Sequence, residues 1–144
     1  MVSSTATDLF SVFNAFFLLL ENSKEIRGIS PIFIGDTTTL FIRLVDKKID
    51  IELIFTPDVL DATVKSADKK DLANALKKNL KLFKIEKQPN FAATVTDYFF
   101  FIGFFKPDGQ FDWSEGLLSY SPDALACGRE LYAYYVEKAE PVIL

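Results

Sequence analysis

Asp50 and Glu52 sit two residues apart in the alternating run Ile49 to Phe55, so they share one face of a strand, about 6–7 Å apart by the strand rise. That separation could serve a bound cation or an acid–base pair. With no third acid or histidine beside them in sequence, a solvated strand face is the simpler reading. Lys69, Lys70, Lys77, Lys78, Lys81, Lys84 and Lys87 could attract phosphate, but Asp68 and Asp71 interleave with them and no arginine joins them, the pattern of a wet helix face. Cys127 stands between Ala126 and Gly128, where small residues would let a helix lie close on a sheet, and packing explains it better than a reactive thiol. Trp113, Tyr98, Tyr132, Tyr134 and Tyr135 are amphipathic, so some could line a ligand pocket while others form core. The 15 phenylalanines leave an apolar cavity and plain packing equally open.

The chain has no histidine, which removes the commonest general base, the usual triad member and the commonest zinc ligand. It has no Gly-rich phosphate loop, no Ser-centred nucleophile elbow and no acidic cluster at metal spacing. No catalytic residue, metal ligand or cofactor is therefore expected. An enzyme working through Asp97 or the Asp50 and Glu52 pair is the weakest of the readings weighed. With 16 basic against 20 acidic residues, and only Arg27, Arg43 and Arg129 as arginines, the chain is not expected to hold DNA unaided. The lone cysteine excludes an intrachain disulfide and favours a reducing, cytoplasmic setting. Leu9 to Leu20 is apolar but too short for a bilayer span and lacks the flanks of a signal peptide, so no membrane association is expected.

At 144 residues one domain is expected, with residues 1–23 forming an N-terminal connecting helix and residues 24–144 an α/β unit. Thr5 to Asn22 reads as a helix with almost no polar stripe, needing cover on two sides. It is either wedged into its own domain or shared with a second chain or domain, which makes Phe10, Phe13, Phe16, Phe17 and Leu20 candidates for a dimer or partner interface. Glu25 to Ile34 reads as a strand interrupted by Pro31, and Asp36 caps a helix carrying Leu40, Phe41, Leu44 and Val45. Ile49 to Phe55 is the next strand. Thr56-Pro57-Asp58 then opens a helical crossover that breaks near Ser66 and resumes from Asp68.

Leu80 to Ile85 reads as a short strand at a sheet margin, and Phe91 to Thr96 as another. Tyr98 to Phe105, apolar throughout apart from Gly103, reads as a central strand covered on both faces and closed by the turn Lys106-Pro107-Asp108-Gly109. Gln110 to Trp113 follows the turn, and Ser114 to Tyr120 looks irregular. Ser121-Pro122-Asp123 opens the last helix, which Pro141 ends. The expected fold is α/β: a mixed, mostly parallel sheet with helices on both faces. Ser30, Thr56 and Asp97 fall at the carboxyl ends of strands, where ligands of parallel sheets usually sit. With Phe33 near the sheet edge and Trp113, they make up the ligand-binding candidates.

Four stretches taken together carry a resemblance: Lys24 to Phe33, Ile51 to Leu60, Val95-Thr96-Asp97 leading to Asp108-Gly109, and Ala124 to Tyr135. Their order and spacing resemble the middle, or sensor, domain of archaeal winged-helix transcriptional regulators named for methanogenesis regulation, from about Leu18 to the C-terminus. The resemblance implies a non-catalytic regulatory domain that senses a small-molecule effector, in keeping with the apolar cavity considered above, and mediates homodimerisation, with DNA reached only through an attached winged helix. The chain is expected to begin at the connecting helix, without that DNA-binding half. The domain is also similar to one half of a phospholipase D fold, whose chemistry needs a histidine and lysine pair from each half. A chain without histidine lacks that catalytic motif. The resemblance transfers no ligand residue. A second reading is a free-standing partner that pairs through Leu9 to Leu20 with a full-length regulator.

Overall fold

The computed structural model describes residues 16, 18–31 and 37–142, with the side chains of residues 37, 38 and 113–115 excepted. Residues 16 and 18–21 are helical (α1). They are followed by β1 (Glu25–Ser30), α2 (Thr37–Asp46), β2 (Asp50–Phe55), α3 (Pro57–Ser66), α4 (Lys69–Lys77), β3 (Leu80–Lys84), β4 (Phe91–Thr96), β5 (Phe100–Phe105), β6 (Phe111–Ser119), α5 (Pro122–Val136) and β7 (Glu140–Pro141). The strands form one seven-stranded sheet in the order β6-β5-β4-β1-β2-β3-β7.

β1 pairs parallel with β2, and β2 parallel with β3, each across a helical crossover. Every other pairing is antiparallel. The expectation of a mostly parallel sheet is therefore corrected: the sheet is mixed and mostly antiparallel. For the β4–β5 and β5–β6 pairings, connection length is the cause. A parallel return needs about a dozen residues or more, whereas three residues separate β4 from β5 and five separate β5 from β6.

Alternation divides the side chains between two cores. Ile26, Ile51, Leu53, Leu80 and Leu82 face Leu40, Leu44 and Val45 of α2, Val59 of α3 and Leu72 and Ala75 of α4, with Leu20 of α1 buried in the same cluster. Ile29, Ile54 and Val95 face α5 through Tyr132, Leu125 and Leu131. Helices thus lie on both faces, as the sequence implies. Gly128 sets the depth of α5: a Cβ there would lie 2.6 Å from Phe100 Cδ1 and 2.9 Å from Val95 Cβ. Cys127 is exposed, so Gly128 and not the cysteine makes the close approach.

Three local expectations are also corrected. The run Tyr98 to Phe105 is not a central strand covered on both faces; β5 starts at Phe100, lies second from the sheet edge, and leaves Phe104 46% exposed. Residues 114–119 belong to β6, a nine-residue strand, and the irregularity is confined to a shift of its register on β5 between Gly116 and Phe111. The last helix stops at Val136, well before Pro141, which sits in β7. β1 ends at Ser30, immediately before Pro31, as proline's missing donor requires. The Asp36 cap, and the first part of the Thr5 to Asn22 helix, lie outside the described residues. No described helix is long and apolar enough to cross a membrane.

Candidate functional site

The parallel strands β1, β2 and β3 end together: Ser30 registers with Phe55, and Phe55 with Lys84. Neighbouring strands are about 4.8 Å apart, so Ser30 lies about 10 Å across the rim from Lys84. Thr56 follows directly as the N-cap of α3, 7% exposed, and its side chain makes no capping hydrogen bond. Its carbonyl instead accepts from Leu60 N–H at 2.9 Å.

Beyond the end of β3 a cleft of about 480 Å³ opens between the 86–90 loop and the last turn of α5, with three lysines (Lys84, Lys87, Lys138), two glutamates (Glu86, Glu140), Tyr134 and Tyr135 on its walls. Two local features build it. Pro89 and its neighbours interrupt the chain after β3, and α5 brings Tyr134 and Tyr135 to the same rim. Tyr135 is anchored edge-on against Phe91, centroids 5.3 Å apart, and Tyr134 lies edge-on against Tyr135, also at 5.3 Å. Lys138 Nζ rests 4.7 Å from the Tyr134 ring centroid. Lys84 pairs with Glu86 at 3.6 Å, whereas among the described residues Lys87 and Lys138 have no carboxylate partner at ion-pairing distance. An exposed aromatic face and two such ammonium groups can hold a planar molecule carrying negative charge.

Asp97 does not join this rim. Because β4 runs antiparallel to β1, its carboxyl end meets the beginning of β1, Ile26 registering with Thr96. There Asp97 Oδ1 accepts from the backbone N–H of Lys24 at 2.7 Å and of Glu25 at 3.3 Å, holding the junction of α1 and β1 against the β4–β5 turn. Thr96 Oγ1 accepts from Tyr98 N–H at 2.9 Å and Phe99 N–H at 3.0 Å, which closes that turn. Trp113 belongs to β6, three strands across from β1, about 14 Å from it by strand spacing, so it stands apart from Ser30 and Thr56. Phe33, Phe10, Phe13 and Phe17 lie outside the described residues. Phe16 packs on Phe99 and Phe101, with centroids 5.9 and 5.6 Å apart, and Leu20 is buried in the same core.

The Asp50 and Glu52 pair sits on the α5 face at the opposite end of β2. Arg27 of β1 reaches Asp50 at 3.0 Å, Glu52 at 3.5 Å and Glu25 at 3.9 Å. The Tyr132 hydroxyl donates to Glu52 Oε1 at 3.1 Å. Burial pushes the Tyr132 phenol above its ordinary value of 10.0, and the Glu52 charge and hydrogen bond push it further. Glu52 is half-buried, so the solvated-face reading holds for exposed Asp50 and fails for Glu52. Among the described residues no group of three or more metal-ligating side chains comes together.

The cleft residues were only partly visible in the sequence. Tyr134 and Tyr135 qualified as pocket-lining aromatics, but Lys84 and Lys87 were merged into a helix-face lysine group. Their place beside the marginal strand Leu80 to Ile85 was legible; what no local pattern shows is that the end of α5 returns to the same rim.

Comparison with known proteins agrees with this architecture. Residues 9–138 match the family described as methanogenesis regulatory protein FilR1, middle domain, and the chain belongs to that family. A curated relative, methanogenesis regulatory protein FilR1 of Methanothrix harundinacea (strain 6Ac), is 24% identical over 143 residues, covering 96% of this chain and 32% of the relative. The chain thus spans about a third of that relative's length. Among solved structures, TrmBL2, an archaeal chromatin protein with a novel mode of DNA binding, superposes with a TM-score of 0.73 at 19% identity, over 93% of this chain and 52% of TrmBL2. Nuc of Salmonella typhimurium, a phospholipase D family member, superposes with a TM-score of 0.66 at 10% identity, over 91% of each chain. At these identities the structures speak for the fold alone, which is phospholipase D-like.

Proposed function

We propose that this chain is the non-catalytic effector-sensing and dimerisation domain of a cytoplasmic transcription regulator, which reaches DNA through a winged helix elsewhere in the full protein. The family and the relative's name support the regulator role. The observation that carries the sensing role is the cleft at the end of β3, which Tyr134, Lys87 and Lys138 line, with Lys138 Nζ 4.7 Å from the Tyr134 ring centroid. Its effector is a small anionic molecule with a planar, partly apolar body. The expectation of an apolar effector is narrowed accordingly: the body stacks on Tyr134 while lysines hold the charge. A ligand there touches both the 86–90 loop and α5, so it favours whichever seating of α5 it binds more tightly and shifts the population of dimer geometries.

Thermal unfolding with a panel of benzoates, phenyl phosphates and nucleoside monophosphates tests this. At about a hundredfold excess over Kd, a true ligand stabilises the chain by about 2.7 kcal/mol, and Tyr134→Ala, at an exposed position, removes the shift without changing the unliganded fold. No rise in Tm with any member at about 10 mM would contradict the sensing role.

Leu18, 60% exposed on α1, favours a second reading as a partner that pairs through this helix with a full-length regulator. Leu18→Asp should then abolish the heterodimer while leaving the Tm of the isolated chain within a degree or two.

A further inference from the structure

The segment that follows α5 forms part of the wall of two separate cavities. Lys138 and Glu140 line the effector cleft together with Tyr134 and Lys87. Immediately after them, Pro141 and Val142 line a groove of about 550 Å³ between α4 and the edge of β3, where Leu76, Leu80 and Leu82 supply apolar surface. Val142 lines the groove and not the cleft. Between the two cavities β7 is only the pair Glu140–Pro141, in register with Lys84 and Phe83.

The hold of β3 on this segment is slight. A strand of two residues offers little ladder, and Pro141 has no N–H to add to it. Val142 contributes one backbone hydrogen bond, its N–H donating to Leu82 O at 2.9 Å. Its side chain packs on the same core as Leu80 and Leu82 but is only half-buried, and Glu140 and Pro141 are exposed. The body of α5, by contrast, is seated by the close approach of Gly128 and by buried Tyr132. Local opening is easiest where buried apolar contacts and protected hydrogen bonds are fewest, so residues 137–142 open before α5 or β3 does.

We propose that β7 is a strap that effector binding fastens onto β3, which makes residues 137–142 the element that responds to an occupied cleft. This rests on the sensing role proposed above and names what the ligand moves. Unseating β7 dismantles one wall of the cleft: Glu140 leaves with the strand, and Lys138, two residues before it, loses the anchor that fixes it 4.7 Å from the Tyr134 ring. A ligand that touches Lys138 therefore binds the seated form more tightly than the unseated one. By linkage, whatever seats β7 tightens ligand binding, and ligand binding seats β7 by the same factor. The two cavities give this coupling two handles, since the effector acts on Lys138 in one while Val142 can be altered in the other without touching the ligand.

Calorimetric titration of the full chain with phenyl phosphate, benzoate and adenosine monophosphate, joined to amide exchange of the wild type followed by NMR, tests the strap. Saturation with whichever of the three binds should slow exchange of the Val142 amide by about tenfold or more. Val142→Asp, which sets a charge against the apolar groove, should weaken binding by about tenfold, whereas Val142→Leu, which keeps the apolar contact, should bind as the wild type does. The amide rate is read on the wild type, so it decides the matter even where Val142→Asp does not fold. A Val142 amide that exchanges equally fast with and without ligand, or an affinity that Val142→Asp leaves unchanged, overturns the strap and leaves the sensing role standing. A wild-type chain that binds none of the three overturns the strap together with the sensing role.

Discussion

The Tyr132 hydroxyl donates to Glu52 at 3.1 Å, and burial beside that carboxylate pushes its pKa above 10.0. In the unfolded chain the phenol ionises near its ordinary value, so above pH 10 the folded state binds more protons than the unfolded one, and stability falls as pH rises. The limiting slope is about 1.4 kcal/mol per pH unit for one proton. Tyr132→Phe should flatten that alkaline limb in urea unfolding and lower stability at pH 7 by about 1 kcal/mol, since Glu52 loses its donor. An unchanged slope between pH 10 and 11.5 would show that other groups dominate there. Asp97 makes a second residue-level case. Asp97→Ala removes two hydrogen bonds to the start of β1 and should cost about 1–2 kcal/mol, read as a lower Tm without loss of effector binding at the far end of the sheet. Neither role was legible. Alternation placed Glu52 on the correct face of a strand, but its donor stands 80 residues away on α5, and nothing local in the sequence reports that. Asp97 was placed at a strand's carboxyl end correctly, and at the wrong end of the sheet only because the direction of β4 was not known.

At the scale of elements, the starts of α4 and α5 were legible and strand direction was not. Ser121-Pro122-Asp123 opens α5 with the Ser121 hydroxyl accepting from Ala124 N–H at 3.1 Å, and Asp68 caps α4 through Lys70 and Asp71 N–H. Strands β1 to β4 likewise fall within the apolar runs that announce them. The apolar run before Gly103 suggested a strand buried on both faces, but fifteen phenylalanines cover more than a core, and β5 spends part of its apolar surface near an edge. β6 was obscured because Glu115 and Gly116 break the alternation that would reveal it. The seating of α5 is a sharper test. Gly128→Ala gains about 1 kcal/mol of helix propensity, but its Cβ would collide with Val95 as well as Phe100. Overpacking costs about 1–3 kcal/mol, so the variant should be net destabilised, or α5 should lift and alter the Tyr134 cleft. A more stable variant with unchanged ligand affinity would show that α5 has room to spare.

At the scale of the whole molecule, the chain is a phospholipase D-like mixed sheet with a cleft lined by aromatic and charged side chains at the end of its parallel strands. These 144 residues contain no histidine, so they do not supply the histidine of phospholipase D chemistry. Under the proposed function, Tyr134→Ala should remove ligand-induced stabilisation and leave the unliganded dimer in place. The most direct measurement is native mass spectrometry of the purified chain, which reports subunit count and bound small molecules together. The account predicts a dimer of the 16.3 kDa chain that takes up a small anionic molecule in the wild type and not in Tyr134→Ala. A monomer that stays bare at high micromolar concentration, with the whole ligand panel present, would contradict it.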